Sequence, residues 1–141
     1  MDFKILAKAI EKETELITGS LVDEDGNVCS LGALNRYFNT NNAQVNCGEY
    51  IRPIIIYKDD PKDVIETKEA QVKAIMDSGF YRAYTTRRST NTQYDFGFPD
   101  EVFCLVSQKN DMSCRDGTLN DKKNRRNKMI EWAECMSRNG G

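Results

Sequence analysis

Asn110-Asp111 and, further along, Arg125-Arg126 are the residues of this chain whose types best suit a shared site. A carboxylate can hold a guanidinium bidentately, and an amide beside it can donate and accept at once. If the last helix folds back on the segment before it, Asp111 meets an arginine. The ordinary use of such residues is a cap that fixes a loop-to-helix junction, and that reading is preferred. Asp59 or Asp60 with Glu66-Thr67-Lys68 echoes the acids and lysine of metal-dependent nucleases. Those groups must converge on a metal and a phosphate. Here Glu66 and Lys68 fall on a predicted helix, where positions i and i+2 point apart, so a solvated face is expected.

The sharpest negative is histidine, which is absent from the sequence. Ser-His-Asp and Cys-His activation are thereby excluded, as is any zinc site that needs imidazole. The cysteines number five and no two have Cys-x-x-Cys spacing. Reduced thiols are expected rather than a disulfide framework or a zinc knuckle. Cys29, Cys104 and Cys135 lie in apolar stretches and read as small hydrophobes. Cys47-Gly48 and Cys114-Arg115 lie in loops, and Arg115 could lower a thiol pKa there. No cofactor and no metal is implied; the acids at 23–25 lack the spacing of a calcium loop.

Two basic groups remain. Arg82, Arg87 and Arg88 alternate with Tyr81, Tyr84 and Tyr94, a composition suited to phosphate contact and base stacking on single strands. Lys122, Lys123, Arg125, Arg126 and Lys128 crowd the start of the last helix, where the dipole disfavours cations. A net charge of −2 and a pI near 5.3 weaken a nucleic-acid reading.

The elements that must position these groups follow from periodicity. Phe3, Leu6, Ile10 and Ile17 predict a helix over 2–18, stopped at Gly19. Leu21-Val22 and Asn27-Val28 flank an Asp-Gly turn and predict a short hairpin. Residues 29–38 form a second helix whose Gly32 and Ala33 let another element approach its backbone. A loop covers 39–50. Ile51–Tyr57 reads as a strand that Pro53 confines to an edge or a start. Asp63–Ser78 is a helix with Val64, Val72, Ile75 and Met76 inward, ended by Gly79. Phe80–Ser89 and Tyr94–Phe98 read as strands around a polar turn. Pro99-Asp100-Glu101 favours a helix over 99–109 with Val102, Leu105 and Val106 on one face, a strand being the alternative for so short an apolar run. A loop covers 110–117. Asn120 as N-cap and Leu119 as hydrophobic staple open a helix over 121–137.

The expectation is one α+β domain over 1–141, mostly helical with a small sheet or hairpin, monomeric or a small homo-oligomer. No apolar run approaches the roughly 20 residues of a membrane span, and no secretory signal is read. A cytoplasmic setting is therefore expected.

The segments Ile5-Leu6-x-x-Ala9, Gly26-x-Val28-Cys29-x-Leu31-Gly32-Ala33-Leu34, Asn110-Asp111 and Arg126-x-x-x-Ile130-x-Trp132 resemble a family of small bacterial and phage proteins of unknown function. In that family an N-terminal helix leads to a Cys-x-x-Gly-Ala-Leu segment, and an Asn-Asp pair precedes a final helix. The resemblance implies a mostly helical domain of mobile-element origin and assigns no chemistry. The leading expectation is a non-catalytic protein that covers a partner protein's surface, for instance a phage inhibitor of a host defence complex such as a CRISPR effector, acting in the host cytoplasm. A nucleic-acid-binding module using the two basic groups stands second. An enzyme on a small polar ligand near Asn110 and Asp111 stands third.

Overall fold

The computed structural model describes residues 1–38, 50–88, 91–113 and 119–140. The fold is α+β and mostly helical: α1 (Phe3–Glu11), α2 (Ser30–Phe38), β1 (Tyr50–Tyr57), α3 (Lys62–Asp77), β2 (Arg82–Arg88), β3 (Asn91–Gly97), α4 (Asp100–Met112) and α5 (Asp121–Arg138). The three strands are antiparallel in the order β1-β3-β2. One apolar cluster draws on all five helices and on the sheet, with Phe3, Leu6, Leu34, Ile75, Phe96, Val106 and Met129 fully buried.

α1 starts at Asp2, whose Oδ1 accepts Lys4 N–H at 3.1 Å. It ends at Glu11, well short of the expected residue 18. The apolar period continues through Leu16 and Ile17, but tertiary partners take their backbone. Leu16 bridges Val28 in parallel, Leu16 N–H donates to Lys122 O at 3.0 Å, and Ile17 N–H donates to Val28 O at 3.0 Å. A helix must leave its last carbonyls orphaned; here Arg126 Nη2 donates to Glu11 O at 3.0 Å.

The hairpin forms as expected. Val22 pairs antiparallel with Val28, Asp23 Oδ1 accepts Asp25 and Asn27 N–H groups, and Gly26 sits at φ +82°. Asp23 thus serves the turn through these two bonds. The seam in α2 is equally real. A Cβ on Gly32 would lie 2.0 Å from Leu21 O, so only glycine admits the incoming strand.

In the sheet half, the β1–β3 register breaks between Ile51 and Ile54, around Pro53, and β1 lies at an edge. The β2 and β3 strands pair without interruption from Arg82↔Gly97 to Arg88↔Asn91. The expected polar turn at 89–93 is shorter, because β3 already begins at Asn91; residues 89–90 lie outside the described residues. α3 buries Ile75 and half-buries Val64 and Val72, but Met76 is exposed, a correction to its assigned face. Lys68 joins α3 to β1: its Nζ donates to Ile55 O at 2.7 Å and to Asp60 Oδ2 at 2.8 Å. Of the nuclease-like set, Asp60 and Lys68 thus form a strut, while Glu66 is exposed on α3.

Three further expectations change. α4 runs to Met112, which places Asn110 and Asp111 on its last turn rather than in a loop. Leu105 is exposed, so only Val102 and Val106 form the inward stripe. Leu119 is fully exposed and staples nothing, and Asn120 precedes α5 without a side-chain cap. The loop over 39–49 with Cys47-Gly48, and Cys114-Arg115, lie outside the described residues. No helix among the described residues is long and apolar enough to cross a membrane.

Candidate binding cleft

Asn110 is 1% exposed and uses its whole hydrogen-bonding capacity. Its Oδ1 accepts Ser30 N–H at 3.0 Å and Ser30 Oγ–H at 2.7 Å. Its Nδ2 donates to Ile17 O at 2.9 Å and to Asp111 Oδ1 at 3.2 Å. The side chain therefore ties α4 to the start of α2 and to the segment that follows α1. A polar group this deep stabilises only when so completely partnered.

Arg125 does parallel work one carbonyl away. It is 7% exposed, and its Nη1 donates to Leu16 O at 3.0 Å. Arg126 donates through Nε to Glu13 O at 2.5 Å and through Nη1 to Asn127 Oδ1 at 3.0 Å, besides Glu11 O. Sequence reasoning looked for these arginines at a site with Asp111. The structure brings Asn110 and Arg125 to successive carbonyls, Ile17 O and Leu16 O, of the segment after α1. Arg126 thus holds the end of α1, where the dipole favours a cation.

Phe103, Ser107 and Asp111 follow one another at four-residue steps along one face of α4. Together they line two adjoining hollows. The more enclosed, about 240 Å³, is closed on its other side by Gly19, Ser20, Leu21, Cys29 and Leu31. The shallower, about 460 Å³, adds Cys104, Gln108 and Met112. Met112 is 61% exposed at its rim. Cys29 is 7% exposed at the mouth of α2. Burial pushes its thiol above the ordinary value. The Gly32 and Leu31 N–H groups pull it back, and the charge of Asp111 adds to the rise. The thiol is therefore neutral near pH 7, and a thiolate nucleophile is not stabilised there.

The other sequence candidates lie elsewhere. Arg82 and Tyr84 are exposed on β2, and hydrogen bonding to the Tyr84 oxygen raises Arg82 above its ordinary value, with Glu101 and Asp100 adding to it. Arg87 and Arg88 stand opposite Thr92 and Asn91 in the ladder, and their side chains lie outside the described residues. Lys122 and Lys123 are exposed at the first turn of α5. Of the candidates whose side chains are described, only Asp111 lines the cleft. Sequence reasoning passed over Ser20, Cys29, Phe103 and Ser107; the four-residue stripe on α4 was the one available signal.

In comparisons with known proteins, no family model matches the chain, and neither does a curated protein or a solved structure.

Proposed function

We propose that the protein is a non-catalytic binding protein that engages a partner protein through the groove on α4. The observation that carries this reading is the pair of adjoining hollows sharing Phe103, Ser107 and Asp111, with Met112 exposed at the rim. Exposed apolar side chains beside a concave surface are what interface anchors use. Meanwhile the groups best suited to chemistry are spent on the fold: Asn110, Arg125 and Arg126 hold backbone carbonyls. The resemblance to phage and bacterial proteins suggests the setting, an accessory protein of a mobile element in the host cytoplasm, and inhibition of a defence complex such as a CRISPR effector is its concrete form.

The test is capture from host lysate by the wild type, Met112→Asp and Ser107→Trp, each checked for folding by thermal melting. A partner retained by the wild type and reduced at least tenfold by both variants supports the reading. Undiminished capture by both overturns it. So does magnesium-dependent turnover of a nucleotide or nucleic acid that Asp111→Ala abolishes.

The nucleic-acid reading stands second. It keeps Arg82, Tyr84, Lys122 and Lys123 on the surface but loses Arg125 and Arg126 to carbonyls. It requires a gel shift that weakens steeply with salt, and a salt-insensitive shift or none removes it.

A further inference from the structure

The two edges of the sheet are finished differently. Along β1 the register breaks between Ile51 and Ile54, where Pro53 brings no N–H. Lys68 Nζ donates to Ile55 O at 2.7 Å, and Tyr57 N–H donates to Asp60 Oδ2 at 2.9 Å. That edge is interrupted and capped. β2 runs from Arg82 to Arg88 with neither proline nor bulge and pairs with β3 throughout. Among the described residues, β3 is the only element that packs along it. In an antiparallel pair every second residue turns its N–H and C=O away from the partner. The outer side of β2 therefore presents a row of main-chain donors and acceptors, the template on which a further strand pairs. The strand also holds three arginines and no acid. Asp100 and Glu101 act on Arg82, whereas Arg87 and Arg88 stand at the other end of the ladder.

We propose that the outer edge of β2 takes an extended acidic segment of a partner protein as an added strand, its main chain laddered to β2 and its carboxylates beside Arg87 and Arg88. Main-chain hydrogen bonds supply affinity in such pairing, and alternate side chains supply the choice of partner. Exposed ion pairs contribute little each, so here charge selects and the ladder holds. A second copy is a poor occupant. Pairing β2 with itself about Thr85 sets Arg82 against Arg88 at both ends, and like charges directly opposite destabilise. Nucleic acid would meet the arginines and leave the main-chain row unused. This edge is separate from the groove on α4, and the inference stands or falls without that groove.

The experiment titrates the purified full chain with acetylated, amidated heptapeptides that alternate threonine with glutamate, glutamine or lysine. A further glutamate peptide has every main-chain nitrogen methylated, which keeps the charge and removes the donors. Backbone amide NMR reads shifts and hydrogen exchange. The glutamate peptide is expected to bind at least tenfold more tightly than the other three and to slow exchange at every second amide of β2. Arg87→Glu with Arg88→Glu is expected to cut that binding at least tenfold. Lys73→Glu with Lys128→Glu makes the same change of net charge at two exposed positions and is expected to leave binding within twofold. Melting curves check each variant; where the arginine variant does not fold, the methylated peptide decides. Glutamine or methylated peptides binding as tightly as the glutamate peptide overturn the proposal, as does the absence of binding. An equal loss in the lysine variant overturns it by assigning the effect to net charge. Exchange at β2 that slows with protein concentration alone gives the edge to a second copy. Oligothymidylate that shifts the β2 amides at lower concentration than the glutamate peptide gives it to nucleic acid. Either result also overturns the proposal.

Discussion

The helical half, where α1, α2, α4 and α5 meet, and the sheet half, where α3 lies on β1, handle polar groups in opposite ways. Around Asn110 and Arg125 the hydrogen bonds are buried and join residues 80 to 109 positions apart. Around α3 they are short-range and less buried: Lys68 to Asp60 spans 8 positions and is half-buried, and Lys73 to Asp77 is an exposed pair one turn apart. A buried polar contact is costly to break because its partner cannot turn to water, whereas an exposed ion pair contributes little. Stability should therefore be concentrated in the helical half.

The strongest blow to that contrast is Asn110→Ala, which leaves the Ser30 N–H and the Ile17 carbonyl unpartnered and opens a small void. A loss of about 4 kcal/mol is expected from unmade buried hydrogen bonds at ~1–3 kcal/mol each, read by urea denaturation. A loss near zero would place the molecule's stability elsewhere. Gly32→Ala follows, at about 3 kcal/mol, since the new methyl meets the Leu21 carbonyl and the backbone must move; the readout is the melting temperature.

A smaller effect sharpens the comparison through pH. Glu13 accepts Arg36 Nη1 at 2.6 Å. Burial raises its carboxyl above the ordinary value, and Arg36 only partly offsets the rise. The folded state thus holds this proton more tightly than the unfolded chain. Stability from this group is present below the ordinary glutamate value. It is lost as pH climbs from there through the raised folded value, and then levels off. Glu13→Gln should flatten that part of the stability–pH curve; an unchanged slope would assign it to other carboxylates. Least of all, Lys73→Ala in the sheet half should leave the urea midpoint unchanged within error, its pair with Asp77 being exposed on both sides.

The same division explains what the sequence disclosed. Features written in neighbouring residues were legible. Asp23 and Gly26 specify their turn, Pro53 an edge strand with a broken register, Pro99 the start of α4, and Gly32 a close approach. Features that depend on distant partners were not. The apolar period carries a helix through Ile17, and nothing nearby says that Val28, Lys122, Arg125 and Arg126 will claim that backbone instead. Asn110 reads as a loop residue because asparagine competes with its own helix. It sits within α4 because its amide is engaged across the core. Leu119 fits a staple by position alone and lies in water. For the cleft, Asp111 was singled out by chemistry, but its neighbours Ser20 and Cys29 come from two other segments that only the fold assembles.

The bond from Asn110 to Ser30 and Ile17 also bears on how the chain is made. A nascent polypeptide leaves the ribosome N-terminal end first, so α1 and the segment after it emerge with the Glu11, Leu16 and Ile17 carbonyls bonded only to water until α4 and then α5 have been translated. These segments wait in a loose, hydrated state, and a message truncated before the codon for Asn110 would yield a product open to proteolysis rather than a folded fragment.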